Sequence, residues 1–275
     1  MTDLTKRIAV ITGAAGGLGQ AISRRLAKAG ATVVLVDVCE QERIDRLAKE
    51  IEAAGGKAFA VRTDVSSSSE VDALFDTVKA RYGTVHILIN NAAIVPARPE
   101  DEARRAKHYG YLTTPVPRDS LQFTSQVTDE EWKRFWGVNV DGVFYCTRAA
   151  LRLMEPQRDG RIVNVASVAG YSPISAHSPH YSATKGAVIA FSKAVAAEVA
   201  GANILVNVLA PGGIMTPDFK RYLDQVGDEK TRQLWQVVPL GRLGEPEEYA
   251  ETVLHLAGDH FLVGQVISPN GGAVI

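Results

Sequence analysis

The sequence predicts a doubly wound α/β fold, a parallel sheet of about seven strands with helices on both faces. Three observations carry that expectation. Short β-branched runs alternate with longer segments whose apolar residues recur at three and four positions, along almost all of the 275 residues. The strand runs (IAVI, TVVLV, HILI, RIVNV, ILVNV) are nearly continuous in apolar residues, as strands covered on both faces must be. Alternation of this kind, with no internal repeat and no linker, implies right-handed crossovers and one domain over residues 1–275.

Strands are expected at Arg7–Thr12, Thr32–Asp37, Lys57–Arg62, Val85–Asn90, Gly160–Ala166, Asn203–Leu209 and Gln265–Ser268. Between them Leu18–Ala29, Glu42–Ala54, Ser69–Tyr82, Asp129–Met154, Pro179–Ala200 and Pro246–Gly258 have the periodicity of amphipathic helices. Ser66–Ser69 offers capping hydroxyls before Val71, and Ser178-Pro179 reads as an N-cap followed by proline at the first helical position. Pro96–Val127 breaks the alternation. It holds four prolines, dense mixed charge and the aromatics Tyr109, Tyr111 and Phe123, and is expected as a long loop.

Composition narrows the function. Thirty Lys and Arg against 31 Asp and Glu give a net charge of −1 with signs interspersed, which excludes a nucleic-acid or anionic-membrane footprint. Two cysteines, Cys39 and Cys146, are too few for a disulfide scaffold. The apolar run Ile8–Ile11 is too short for a signal peptide, and no stretch approaches the ~18 apolar residues of a membrane span. A soluble, cytoplasmic protein acting on a small molecule is expected.

Residues Thr12 to Gly19 (TGAAGGLG) lie between the first strand and the first helix. Gly13, Gly16, Gly17 and Gly19 allow a tight turn and close approach of an anion, and the N–H groups around Leu18 face it with the helix dipole behind them. No Lys-Ser/Thr follows, so a P-loop is excluded. Asp37 ends the second strand, where a carboxylate accepts from both hydroxyls of an adenosine ribose. It would repel a 2′-phosphate, and Ala14, Ala15, Val38 and Cys39 offer no compensating cation, so NAD is expected rather than NADP. Asp64-Val65 and Asn90-Asn91-Ala92-Ala93 end the third and fourth strands, placed to meet adenine and its ribose.

Ser167 follows the fifth strand, and Tyr181 and Lys185 open the next long helix. Positions i and i+4 are separated by ~400°, so phenol and ammonium share a face. Moving a tyrosine from a pKa of ~10 to ~7 takes about 4 kcal/mol, and a cation one turn away and a helix N-terminus both act in that direction. Ser167 is placed to hydrogen-bond the substrate oxygen on which charge develops.

In order, the glycine pattern of residues 13–19, Asn90-Asn91-Ala92, Asn139, Ser167, Tyr181-Ser182-Ala183-Thr184-Lys185 and Pro211-Gly212 resemble the short-chain dehydrogenase/reductase family, over Arg7 to about Gly272. The resemblance implies a Rossmann-type sheet, hydride transfer with a nicotinamide cofactor, and a homotetramer. It implies that Tyr181 is the general acid/base and that Lys185 also holds the nicotinamide ribose. Ser167 would orient the carbonyl, and Asn139 would support a water-linked proton relay. Pro211, Gly212, Ile214 and Thr216 would line the nicotinamide end, with Thr216 on the carboxamide.

Three features depart from the family pattern. Ser167 and Tyr181 are 14 positions apart, one more than the commonest spacing, and Ala93 stands where glycine is usual. The insertion at 96–127 follows the fourth strand, whose end faces the site; it is either a cover for the substrate pocket or a surface or subunit-contact excursion. His177 and His180 lack nearby ligand-spaced Cys, Asp or Glu, so no metal is expected; they line the pocket or face solvent. Trp132, Trp136 and Trp235 read as core or helix-packing residues, Trp235 alternatively capping the pocket.

The expected reaction is NAD-dependent interconversion of a secondary alcohol and a ketone. The first alternative is reduction of a 3-oxoacyl thioester, which would predict NADP and a basic surface for an acidic carrier. A second is a non-catalytic NAD-binding scaffold, against which both Tyr181 and Lys185 are present. An epimerase of the longer family branch would need a larger C-terminal region than the few residues after Asn270-Gly271-Gly272.

Overall fold

The computed structural model describes residues 2–217, 219–221, 223 and 237–275, and of residues 112 and 113 the backbone only. Seven parallel strands form one sheet: β1 (Ile8–Thr12), β2 (Thr32–Asp37), β3 (Lys57–Arg62), β4 (Ile87–Asn90), β5 (Gly160–Val165), β6 (Ile204–Leu209) and β7 (Val266–Ile267). Their order is β3-β2-β1-β4-β5-β6-β7. The chain therefore reverses its direction of winding between β1 and β4, which opens a crevice beyond their carboxyl ends.

Period-two alternation sends each strand's side chains to opposite faces. Ala9, Ile11, Val33, Leu35, Ile87 and Ile89 join one core with helices α1 (Gly17–Lys28), α2 (Gln41–Ala53) and α8 (Pro246–Leu256). Ile8, Val10, Val34, Val36, Leu88 and Ile162 join the other with α3 (Ser68–Tyr82), α6 (Gly142–Gln157) and α7 (Pro179–Val199). Each fully buried Ile, Leu or Val contributes roughly 1.5–3 kcal/mol, so the sheet is the rigid part on which the loops are mounted.

Four local expectations change. Pro96–Val127 is not a structureless loop: it contains α4 (Pro99–Thr113) and a short 3₁₀ turn at Thr124–Gln126. Pro99 pre-sets the first turn, Glu100, Asp101 and Glu102 favour the dipole, and the Asp101 carboxylate accepts from Arg98 N–H at 3.0 Å. Asp129–Met154 is not one helix. A π-helical turn, Gly137–Asp141, separates α5 (Asp129–Trp136) from α6. Ser67 caps α3 by accepting from Glu70 N–H, but Ser178, at the N-cap position of α7, makes no capping bond, and its buried hydroxyl is unpartnered. Trp132 and Trp136 are not core residues: their rings stack on each other at 5.4 Å, with Trp132 exposed, and Trp235 lies outside the described residues.

Candidate active site

The glycine turn is built by close approaches. Gly13 has φ +64°, and a Cβ on it would lie 2.8 Å from Ala92 Cα. A Cβ on Gly19 would lie 2.0 Å from Gly13 O, so only glycine lets α1 start this close to the strand. Gln20 N–H makes the first bond of the helix, to Gly16 O, which leaves the N–H groups of Gly17, Leu18 and Gly19 ahead of the ladder. No acidic residue occupies that turn. The result is a helix N-terminus with leading N–H groups and no acidic side chain, where a Cβ on Gly16 would meet only Gly13 O, at 3.5 Å.

The end of β4 is latched to this turn. Thr12 Oγ1 accepts from the N–H groups of Asn91 and Ala92, and Asn91 Nδ2 donates to the carbonyls of Thr12 and Gly13 at 3.0 Å each. Asn91 thus builds the turn with its amide. Asp37 Oδ2 accepts from Ala15 N–H at 2.9 Å and its Oδ1 from Cys39 N–H, which fixes the carboxylate at the ribose end of the crevice. The sequence reading found no cation there, but α2 and β3 supply two. Arg43 donates to Ala15 O at 2.9 Å, and Arg62 Nε to Val38 O at 3.1 Å. Asp64 accepts from the N–H and hydroxyl of Ser66, while Val65 is core, packed on Gly142, so Val65 does not face the crevice with its side chain.

Ser167 stands two residues beyond β5, at the N-cap of the turn Val168–Gly170, and accepts from Ala169 N–H at 3.1 Å; its hydroxyl is also hydrogen-bonded to Tyr181. This pairing depends on backbone contact between the 3₁₀ turn Val168–Gly170 and α7: a Cβ on Gly170 would lie 2.7 Å from the Lys185 carbonyl carbon. Lys185 Nζ donates to Val165 O at 2.8 Å and lies 5.8 Å from the Tyr181 ring centre. Asn139, fully buried on the π-turn, accepts from Ile94 N–H at 2.7 Å and donates to Ile94 O and Thr184 Oγ1. Its side chain is consumed in tying the chain after β4 to α7. Thr184, which sequence reasoning passed over, completes that tie.

The electrostatics correct one expectation. Burial raises the Tyr181 phenol above its ordinary value, against the smaller lowering effect of the Ser167 hydrogen bond. Burial also lowers Lys185, to about 8. The ammonium's charge is spent on Val165 O, and desolvation outweighs any acidifying effect on the phenol. Among the chain's own groups, burial therefore acts against ionisation of the Tyr181 phenol.

The loop after β6 closes the far wall. Val168 N–H donates to Pro211 O, and a Cβ on Gly212 would lie 2.8 Å from Asn270 Cα. Ile214 bridges to Gly244, and Met215 N–H donates to Gly244 O. Thr216 Oγ1 accepts from Phe219 N–H, and the Thr216 and Pro217 side chains lie 3.3–3.4 Å from where a Cβ of Gly17 would stand. An open groove of about 560 Å³ lined by Arg24, Arg25, Lys28, Glu247 and Glu251 lies at the other end of α1, remote from this crevice.

A glycine turn at a topological switch point, with a Ser–Tyr–Lys set beside it, defines a dinucleotide-dependent oxidoreductase site. The chain belongs to the short-chain dehydrogenase/reductase family, whose short chain dehydrogenase pattern matches residues 7–226. A 3-oxoacyl-(acyl-carrier-protein) reductase of Synechocystis sp. is 35% identical over 280 residues, covering 100% of both chains. The Thermotoga maritima protein named 3-oxoacyl-(acyl-carrier-protein) reductase FabG is 35% identical, with 99% of each chain covered. Among solved structures, a mutant short-chain dehydrogenase/reductase from Serratia marcescens aligns with a TM-score of 0.82 at 26% identity, covering 98% of each chain. A short-chain type dehydrogenase/reductase from Mycobacterium marinum aligns with a TM-score of 0.79 at 30% identity over 99% of this chain and 97% of its own. No helix among the described residues is long and apolar enough to cross a membrane.

Proposed function

We propose that this chain reduces a ketone to a secondary alcohol with a nicotinamide cofactor, the ketone being the 3-oxo group of an acyl thioester. The hydrogen-bonded Ser167–Tyr181 pair beside the glycine turn carries the reaction class. The substrate class is supported by full-length relatives of that name. The main expectation, interconversion of some other secondary alcohol and its ketone, stays as the second reading because Asp37 favours NAD, the cofactor the thioester alternative does not predict.

The residues present fit a dinucleotide. The free N–H groups of Gly17, Leu18 and Gly19 would hold the pyrophosphate, Asp37 the adenosine ribose, and Lys185 the nicotinamide ribose, with Pro211–Thr216 along the nicotinamide. The bound cofactor supplies the hydride. Tyr181 Oη gives its proton to the ketone oxygen, and Ser167 Oγ donates a hydrogen bond to the same oxygen as charge develops on it. Asn139 keeps α7 and the β4 end in register through Thr184 and Ile94. Asp37 sets the preference for NAD(H), by presenting a carboxylate where NADP(H) carries its 2′-phosphate. We place the protein in the cytoplasm as a homotetramer, from the family resemblance alone.

The test is reduction of a 3-oxoacyl thioester with NADH and NADPH side by side. Tyr181→Phe is expected to lower kcat by about 10²–10⁴ while NADH affinity stays within a few-fold; retained turnover would remove Tyr181 as the acid. Asp37→Ala is expected to move the preference toward NADPH, helped by Arg43 and Arg62; an unchanged NADH/NADPH ratio would remove Asp37 as the selector. If thioesters fail while an NAD-coupled alcohol screen succeeds, the second reading holds.

A further inference from the structure

Three elements distant in sequence converge on the turn before Tyr181. Asp101 from the first turn of α4, Glu131 from α5 and His180 from the first turn of α7 each bring one ligand-type atom within 4.8 Å of the other two. His180 is 1% exposed, neither of its ring nitrogens has a hydrogen-bond partner, and its Nε2 lies 3.5 Å from Glu131 Oε1. Asp101 is 2% exposed, and its Oδ1 is also without a hydrogen bond. His108 Nδ1, His177 Nδ1 and Ser178 Oγ belong to the same junction, the two imidazoles 5.8 Å apart. Six of the nine buried side-chain N and O atoms without a hydrogen bond, among the described residues, are thus gathered here. Each such atom costs about 1–3 kcal/mol, so their concentration at one place asks for a ligand. No carboxylate stands near the two histidines along the chain; the inserted helix and α5 bring them.

We infer that Asp101, Glu131 and His180 form a binding site for a divalent metal ion of the zinc type, with Arg104 as the cation that holds the carboxylates when the metal is not bound. An imidazole with two carboxylates suits Zn²⁺ and its first-row neighbours, whereas Mg²⁺ and Ca²⁺ take all-oxygen sets. Ligand atoms about 2.1 Å from a tetrahedral ion stand roughly 3.4 Å apart. The His180–Glu131 pair, at 3.5 Å, already has that spacing, and the other two pairs have at most about 1.4 Å to close. Arg104 Nη1 lies 3.1 Å from Glu131 Oε1 and 3.8 Å from Asp101 Oδ1, which makes guanidinium and metal competitors for one pair of carboxylates. The ion would pin the insertion to the first turn of α7 and take no part in proton or hydride transfer.

The experiment uses the full chain without a polyhistidine tag, stripped of divalent ions and titrated with Zn²⁺ by calorimetry and with Co²⁺ by visible absorption. One saturable equivalent per chain and a raised Tm are expected. Asp101→Asn and Glu131→Gln, which keep side-chain volume, are each expected to weaken binding at least about tenfold and to lose the Co²⁺ bands. Arg104→Gln is expected to bind more tightly than the unmodified chain. The site is overturned by absence of saturable binding at micromolar metal, by affinity unchanged in the carboxylate variants, or by Arg104→Gln binding no tighter. The Glu131 side chain is 18% exposed against 3% for Asp101, so its variant decides the matter even if Asp101→Asn does not fold.

Discussion

Lys185 carries a structural cost that the chemistry requires. Its folded-state value near 8 lies below the ordinary 10.5, so between those pH values the unfolded chain holds a proton that the folded chain has released. Stability from this group therefore rises with pH across that window and is lowest below it. Lys185→Met is expected to flatten the rise, read by urea unfolding at pH 7 and pH 10. An identical pH dependence in both proteins would show that Lys185 is not desolvated as described. At this scale the sequence was informative wherever a role depends on local spacing. Gly13, Gly19, Ser167, Tyr181 and Lys185 all stand where the pattern put them. It was silent on Arg43 and Arg62, whose presence beside Asp37 depends on how α2 and β3 pack. It also misjudged the sign of the Tyr181 shift, because burial is a property of the fold.

Among the elements, the contact between the Val168–Gly170 turn and α7 decides whether Ser167 reaches Tyr181. Gly170→Ala would put a methyl 2.7 Å from backbone that cannot yield. We expect a loss of about 1–3 kcal/mol in stability and a larger fall in kcat than in NADH affinity, measured by thermal unfolding and steady-state kinetics. Wild-type stability in that variant would show the packing to be looser than described. Strand and helix order was legible because two-sided burial writes itself as apolar runs and amphipathic periods. The helix α4 was missed although its signals were present, Pro99 at the first position followed by three acids, because four prolines in one segment outweighed them. The π-turn was not legible: it is a change of one residue per turn, stabilised by Asn139 reaching two other elements.

For the whole molecule, the parallel run of all seven strands puts the loops of the site together beyond the strands' carboxyl ends. Light scattering on the purified protein is expected to give the mass of four chains; a monomer mass would remove the tetramer. The two walls of the crevice are not equivalent. On one side the side chains of Asn91 and Thr12 stitch the glycine turn to the end of β4 by hydrogen bonds to backbone groups, so that side is tied to the sheet. On the other, the Thr216 and Pro217 side chains stand 3.3–3.4 Å from where a Cβ of Gly17 would lie. A dinucleotide bound as proposed would find its way out on that second side, past a threonine methyl and a proline ring set against a bare glycine.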